Sequence, residues 1–155
     1  MSYTERKELY NSLSQIRGRP LIVYVTSIRP NLGCNMASDA IPQVIQQIKE
    51  VPDECDSIDF LIISNGGDPI TSLRIMSLLR ERFNTITVLL PYVAYSAATI
   101  LSLGADEIIM HPYSNLGPVD PQLTVAHNNE RGVKENLRFR AIPHRKVGAI
   151  LPEVI

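Results

Sequence analysis

The 155-residue chain has no run of 18 consecutive apolar residues, so no segment reads as a transmembrane helix. Its first residues, Met1-Ser2-Tyr3-Thr4-Glu5-Arg6-Lys7-Glu8-Leu9, carry too much charge for the apolar region of a signal peptide. Only two cysteines are present, Cys34 and Cys55, with no CxxC and no nearby histidine pair. That excludes a disulfide framework and reads as two free thiols of a reducing compartment. Charge of either sign is not in excess: 15 Lys+Arg stand against 16 Asp+Glu, a net charge of −1. The basic footprint of a nucleic-acid binder is missing. No metal-ligand spacing, P-loop or GxGxxG occurs, and no internal repeat, so neither a metal nor any other cofactor is expected. The expected location is cytoplasmic, with a peripheral position at a membrane surface left open.

Apolar residues make up 45% and charged residues 20%, the balance of a globular chain long enough for one domain with a core. Residues 4–17 read as a helix that Thr4 can cap, with Leu9, Leu13 and Ile16 on one face and Gly18 as its stop. Leu21 to Val25 reads as a buried strand, and 27–37 as a loop. Ser38 or Asp39 then caps a helix reaching Lys49, with Pro42 in its first turn. A second strand spans Ile58 to Ile63. The turn Ser64-Asn65-Gly66-Gly67-Asp68-Pro69 follows, with Asp68 as N-cap and Pro69 as first residue of a helix running to Phe83. The Arg80-Glu81-Arg82 run reads as the solvated end of that helix. Ile86 to Leu90 is a third strand, a helix beginning near Ser96 ends at Gly104, and Asp106 to Met110 is a fourth strand. His111 to Gln122 reads as a loop. Apolar strands alternating with helices imply a parallel sheet with helices packed on it, joined by right-handed crossovers. The division expected is an N-terminal helix over 1–17, a core over 18–125 and a short basic tail over 126–155. That tail has one candidate edge strand, Arg138 to Ile142, and reads as incomplete or as an oligomer contact.

In such sheets ligands bind beyond the carboxyl ends of the strands. Two features fall on that edge. Gly66 and Gly67 follow the second strand, where paired glycines permit unusual dihedrals and leave N–H groups open to a ligand. Ser96 follows the third, among the small residues Ala94, Ala97 and Ala98. Its hydroxyl stands near the positive end of a helix dipole, and the first N–H groups of the helix have no helical partner. An N–H from the glycine pair with that of Ala97 would form an oxyanion hole. A serine nucleophile also needs a base, and none is obvious. His111 precedes a proline in a loop and reads as structural, while His127 and His144 lie in the tail. Asp120, in Gly117-Pro118-Val119-Asp120-Pro121, suits an Asx turn, and is a candidate orienting or base residue. Lys134 serves as a base only if burial lowers its pKa.

Taken together, Gly66-Gly67, Ser96 in an Ala-rich helix start, Gly104-Ala105-Asp106-Glu107-Ile108-Ile109-Met110 and Ser114-Asn115-Leu116-Gly117-Pro118-Val119-Asp120-Pro121-Gln122 resemble the Clp-protease/crotonase superfamily. Within it the chain is most similar to the serine dehydrogenase proteinase family, relatives of signal peptide peptidase A. The resemblance covers residues 18–125. It implies an α/β fold, a ββα superhelix with a mainly parallel sheet flanked by helices, and a serine endopeptidase that assembles into homo-oligomers. It implies Ser96 as nucleophile and Gly67 and Ala97 as oxyanion donors. Gly66, Asp68, Ser114, Leu116 and Gly117 would lie along a bound peptide, between the extended segment after the glycines and the 114–122 loop. Where the Clp proteolytic subunits carry a catalytic histidine after the serine, this sequence reads Val119-Asp120-Pro121. The signal-peptide-peptidase branch uses a lysine further along, for which Lys134 is the nearest candidate. Two alternatives stand beside the peptidase: an inactive Clp-like scaffold, and a crotonase-type acyl-CoA enzyme, which uses the same two donors without a serine.

Overall fold

Of the four strands in the main sheet, three bury a face against a packed layer, and the last of the four in the chain buries no residue. In the computed structural model, which describes residues 2–29, 32 and 34–119, the four are β1 (Leu21–Val25), β2 (Ser57–Ile63), β3 (Thr85–Leu90) and β5 (Glu107–Met110). They pair in the order β1-β2-β3-β5, all parallel. Between them run α2 (Ile41–Glu50), α3 (Pro69–Arg82) and α4 (Ala97–Leu103), and α1 (Tyr3–Arg17) precedes the first strand. A chain that adds each strand on the same side with right-handed crossovers lays all its crossover helices on one face. The core follows that rule. Ile22, Tyr24, Ile58, Phe60, Ile62, Ile86, Val88 and Leu90 pack against Val44, Ile75, Leu79, Ala97 and Leu101. Each fully buried Ile, Leu or Phe of this layer contributes about 1.5–3 kcal/mol.

The other face of the sheet is held differently. Register aligns Leu21, Asp59, Thr87 and Glu107 in one row across it. Asp59, 1% exposed, receives the Arg17 guanidinium through Nε at 2.8 Å and Nη2 at 3.3 Å. Arg19 donates to Thr87 Oγ1 at 3.0 Å, and Thr87 in turn to Glu107 at 3.2 Å. The helix α1 buries none of its own residues, so this polar row docks its C-terminal end where apolar packing does not.

Several local expectations need correcting. The cap of α1 is Ser2, not Thr4: its hydroxyl accepts from Glu5 N, while Glu5 Oε2 accepts from Ser2 N, a capping box. Gly18 does stop the helix, in the left-handed conformation at φ 65°. Neither Ser38 nor Asp39 caps α2. They form a 3₁₀ turn, Ser38–Ala40, that runs into it without a side-chain cap. Arg80 and Arg82 are not merely solvated. Arg80 donates to Asp106 and the Gly104 carbonyl, and Arg82 to the Pro52 and Cys55 carbonyls, tying α3 to the loops before β5 and β2.

Two short strands were not expected at all. β4 (Val93–Ala94) and β6 (Asn115–Leu116) pair parallel in a second small sheet beyond the carboxyl end of the first. Single bridges join Ser64 to Ala94 and Met36 to Gly67. The residues before α4, and those after β5 that read as loop from sequence, therefore build a small layer over the strand ends. Cys34 and Cys55 are unpaired. Among the described residues no helix is long and apolar enough to cross a membrane. The candidate tail 126–155, with its edge strand, lies outside the described residues.

Candidate active site

β3 ends at Leu90, and within four residues the chain has entered β4, whose end turns sharply into α4. Ser96 makes that turn. It sits at φ 52°, ψ −119°, and is the only non-glycine with positive φ among the described residues. A side chain in this region costs roughly 1–3 kcal/mol and persists only where its surroundings impose it. Here they do. Ala94 is gripped on one side by Ser64, with Ser64 N donating to Val93 O and Tyr95 N to Ser64 O, both at 3.0 Å. On the other side Gly117 N donates to Ala94 O at 2.9 Å. Thr99 Oγ1, one turn into α4, bonds both Ala94 O at 2.8 Å and Gly117 O at 3.0 Å. The outcome is a half-buried serine at a strained strand-to-helix turn, its hydroxyl making no capping bond. Nucleophilic serines of α/β hydrolases are presented by a turn of the same kind.

The glycine pair lies directly against this turn. Gly66 adopts φ 94° and Gly67 φ 150°. A Cβ on Gly66 would overlap the Tyr95 carbonyl oxygen and come within 2.9 Å of Ser96 Cβ and 3.0 Å of Ala97 N. A Cβ on Gly67 would overlap the main chain of Met36. The pair is thus a backbone-only wedge between Met36 and the Ser96 turn. Met36 N donates to Gly66 O at 2.7 Å, and Asp68 N to Met36 O at 2.8 Å. Since the C=O and N–H of a trans peptide point in opposite directions, the Gly67 N–H is turned away from Met36. Neither the Gly67 nor the Ala97 N–H has an acceptor among the described residues.

The remaining predicted positions divide. Gly66 spends both main-chain groups, its N–H on Ser64 Oγ at 3.0 Å and its C=O on Met36. Asp68 caps α3, accepting from Ile70 N at 3.1 Å, Thr71 N at 3.0 Å and Thr71 Oγ1 at 2.7 Å. No extended segment follows the glycines, because α3 begins at Pro69; that expectation is overturned. Ser114 Oγ donates to His111 O at 2.7 Å and closes a turn. Leu116 packs against the core, and Gly117 lies under the Tyr95 ring, where any side chain would collide. The Leu116 main chain points away from β4, since its neighbours Asn115 and Gly117 make the bonds to that strand. The outer edge of β6 therefore has no strand beside it among the described residues.

The His111 ring belongs to its own turn, with Nδ1 accepting from Tyr113 N at 3.2 Å and the ring 5.3 Å from that of Tyr113. The two base candidates, Asp120 and Lys134, lie outside the described residues. Sequence reading missed Ser64, Met36 and Thr99, whose roles come entirely from contacts with distant segments.

The Asp68 carboxyl is held below the usual carboxylate range, first by the Thr71 hydroxyl and then by the Ile70 and Thr71 N–H groups. A lowered folded-state value means that the charged cap stabilises above the unfolded carboxylate value. The contribution is lost as pH falls through the folded one. Urea titrations of Asp68→Asn are expected to show lower stability at neutral pH and a shallower loss on acidification. An unchanged acid profile would remove Asp68 from the cap.

Comparison with known proteins supplies the class. A family model described as ClpP-like SDH-type serine proteinase matches residues 35–130, more than half of the chain and the segment that holds Met36, the glycines, Ser96 and β6. Two uncharacterized proteins of Methanocaldococcus jannaschii are similar to it, 36% and 35% identical over 81 residues, or 52% of this chain. The chain matches 27% and 28% of the length of these curated relatives.

Proposed function

The chain belongs to the ClpP-like SDH-type serine proteinase family, and from that premise we propose that it cleaves peptide bonds with Ser96 as nucleophile. The observation that carries the reading is the strained Ser96 turn beside two N–H groups that have no acceptor among the described residues. An acyl-CoA enzyme of the crotonase kind needs the two donors but has no use for a serine held at positive φ.

In this reading a substrate strand lies along the open edge of β6, using the Leu116 main chain. Ser96 Oγ attacks the scissile carbonyl carbon. Its proton passes to the base, and the carbonyl π electrons move onto the oxygen. The resulting oxyanion accepts from the Gly67 and Ala97 N–H groups, each worth about 3–4 kcal/mol in the transition state. The C–N bond then breaks as the base returns the proton to the leaving amine, and water hydrolyses the acyl-serine. The base is Lys134 or Asp120, or a group from a second copy of the chain. Substrates are peptides or proteins, the working form is a homo-oligomer, and the location is cytoplasmic, at a membrane surface or free of it.

A fluorophosphonate probe tests the nucleophile. Labelling of the wild-type chain is expected, and a folded chain that takes no label would replace this reading with the inactive scaffold. Light scattering tests the assembly: a mass several times 17.3 kDa is expected, and a clean monomer would overturn the oligomer.

A further inference from the structure

Ser64 joins both halves of the proposed oxyanion hole. Its main chain brackets β4, the strand that delivers Ser96 and Ala97. Its side chain, 0% exposed, accepts the Gly66 N–H at 3.0 Å and shares a 2.9 Å hydrogen bond with Thr26 Oγ1. Thr26 follows β1 and is fixed there by its N–H to Ile63 O at 2.9 Å. Gly66 is thus held at both ends, its N–H by the Ser64 hydroxyl and its C=O by the Met36 N–H. The second anchor sits on the same peptide as the Gly67 N–H, so the two anchors together set that peptide's orientation.

We propose that Ser64 is a positioning residue: its hydroxyl, braced by Thr26, holds the Gly66–Gly67 backbone in the orientation that aims the Gly67 N–H at the Ser96 site. This rests on the peptidase reading above. Without the hydroxyl, the buried Gly66 N–H loses its acceptor, and such an orphaned group is costly. Two successive glycines impose little steric barrier to rotation, so the cheapest relief is a turn of this backbone. That turn carries the Gly67 N–H off its target. Ser64 touches neither substrate nor the reacting atoms, so the effect falls on the bond-forming step and not on binding.

The test uses the full chain and a fluorophosphonate, resolving kinact from KI. Ser64→Ala is expected to lower kinact by about 10–100-fold, a fraction of the effect of deleting a whole donor, with KI unchanged within about twofold. Circular dichroism and the urea midpoint report whether the variant is folded. Thr26→Val, which removes the brace and leaves Ser64 in place, is expected to lower kinact several-fold, and Thr26→Ser to restore it. Wild-type kinact in folded Ser64→Ala sinks the positioning role alone, as does a joint change of kinact and KI. If Ser64→Ala does not fold, equal kinact in the two Thr26 variants sinks it. A wild-type chain that takes no label overturns the peptidase reading and this role with it.

Discussion

Ser96→Ala and Ser96→Gly are both expected to abolish phosphonate labelling and to lower peptide hydrolysis by about a millionfold, the scale on which loss of a serine nucleophile is felt. The two variants should nonetheless differ in stability, and the difference tests the geometry separately from the chemistry. At φ 52° and ψ −119° an alanine keeps the backbone strain of the native serine, whereas glycine does not. Strain of roughly 1–3 kcal/mol is relieved against about 0.5–1 kcal/mol of extra unfolded-chain entropy. Thermal unfolding is therefore expected a few degrees higher for Ser96→Gly than for Ser96→Ala. Hydrolysis surviving in either variant would move the nucleophile elsewhere. An alanine variant more stable than the glycine variant would mean that the turn is not held at positive φ in solution.

Gly66→Ala is expected to be among the most damaging single-methyl additions in the described chain. Its Cβ meets main-chain atoms of Tyr95 and Ala97 together with the Cβ of Ser96, none of which is the free end of a flexible side chain. Strain at φ 94° and overpacking together cost on the order of 3–5 kcal/mol. That is a large part of the roughly 5–15 kcal/mol by which a domain is stable. The relief available is displacement of the Ser96 turn, and a shift of about 1 Å there costs on the order of 100-fold in rate. A lower urea midpoint is expected, with labelling reduced beyond what the unfolded fraction explains. Gly18→Ala is the control. Gly18 also has positive φ, 65°, but nothing lies within 4 Å of its added Cβ. That variant should lose a little stability at the α1 terminus and label at the wild-type rate. Equal behaviour of the two variants would disprove the contact between the glycine wedge and the nucleophile turn.

Much of the fold was legible because it rests on local rules. The four strands announce themselves as short apolar runs, and the structure places each within a residue of its expected bounds. Gly18 and Asp68 act where their types predict, one in a left-handed cap and the other accepting the first N–H groups of α3. Mistakes gathered where several residues satisfy the same local rule. Thr4 and Ser2 are both good caps, and only Ser2 has a glutamate three residues on to complete the box. β4 and β6 are two residues each, too short to show any period, and exist only because Ser64 and Gly117 bracket Ala94 from either side.

The sequence by itself determined that this chain makes a parallel sheet with helices, and that Gly66-Gly67 and Ser96 fall at its carboxyl edge. Hydrophobic runs and turn residues are local, and a parallel sheet aligns its strand ends without further instruction. Tertiary structure alone decided that the glycines touch the serine turn, that Met36 fixes which way the Gly67 N–H faces, and that Ser64 holds both parts. Those relations depend on backbone dihedrals and on hydrogen bonds between segments from 26 to 117, and pairings across such separations leave no periodicity to read.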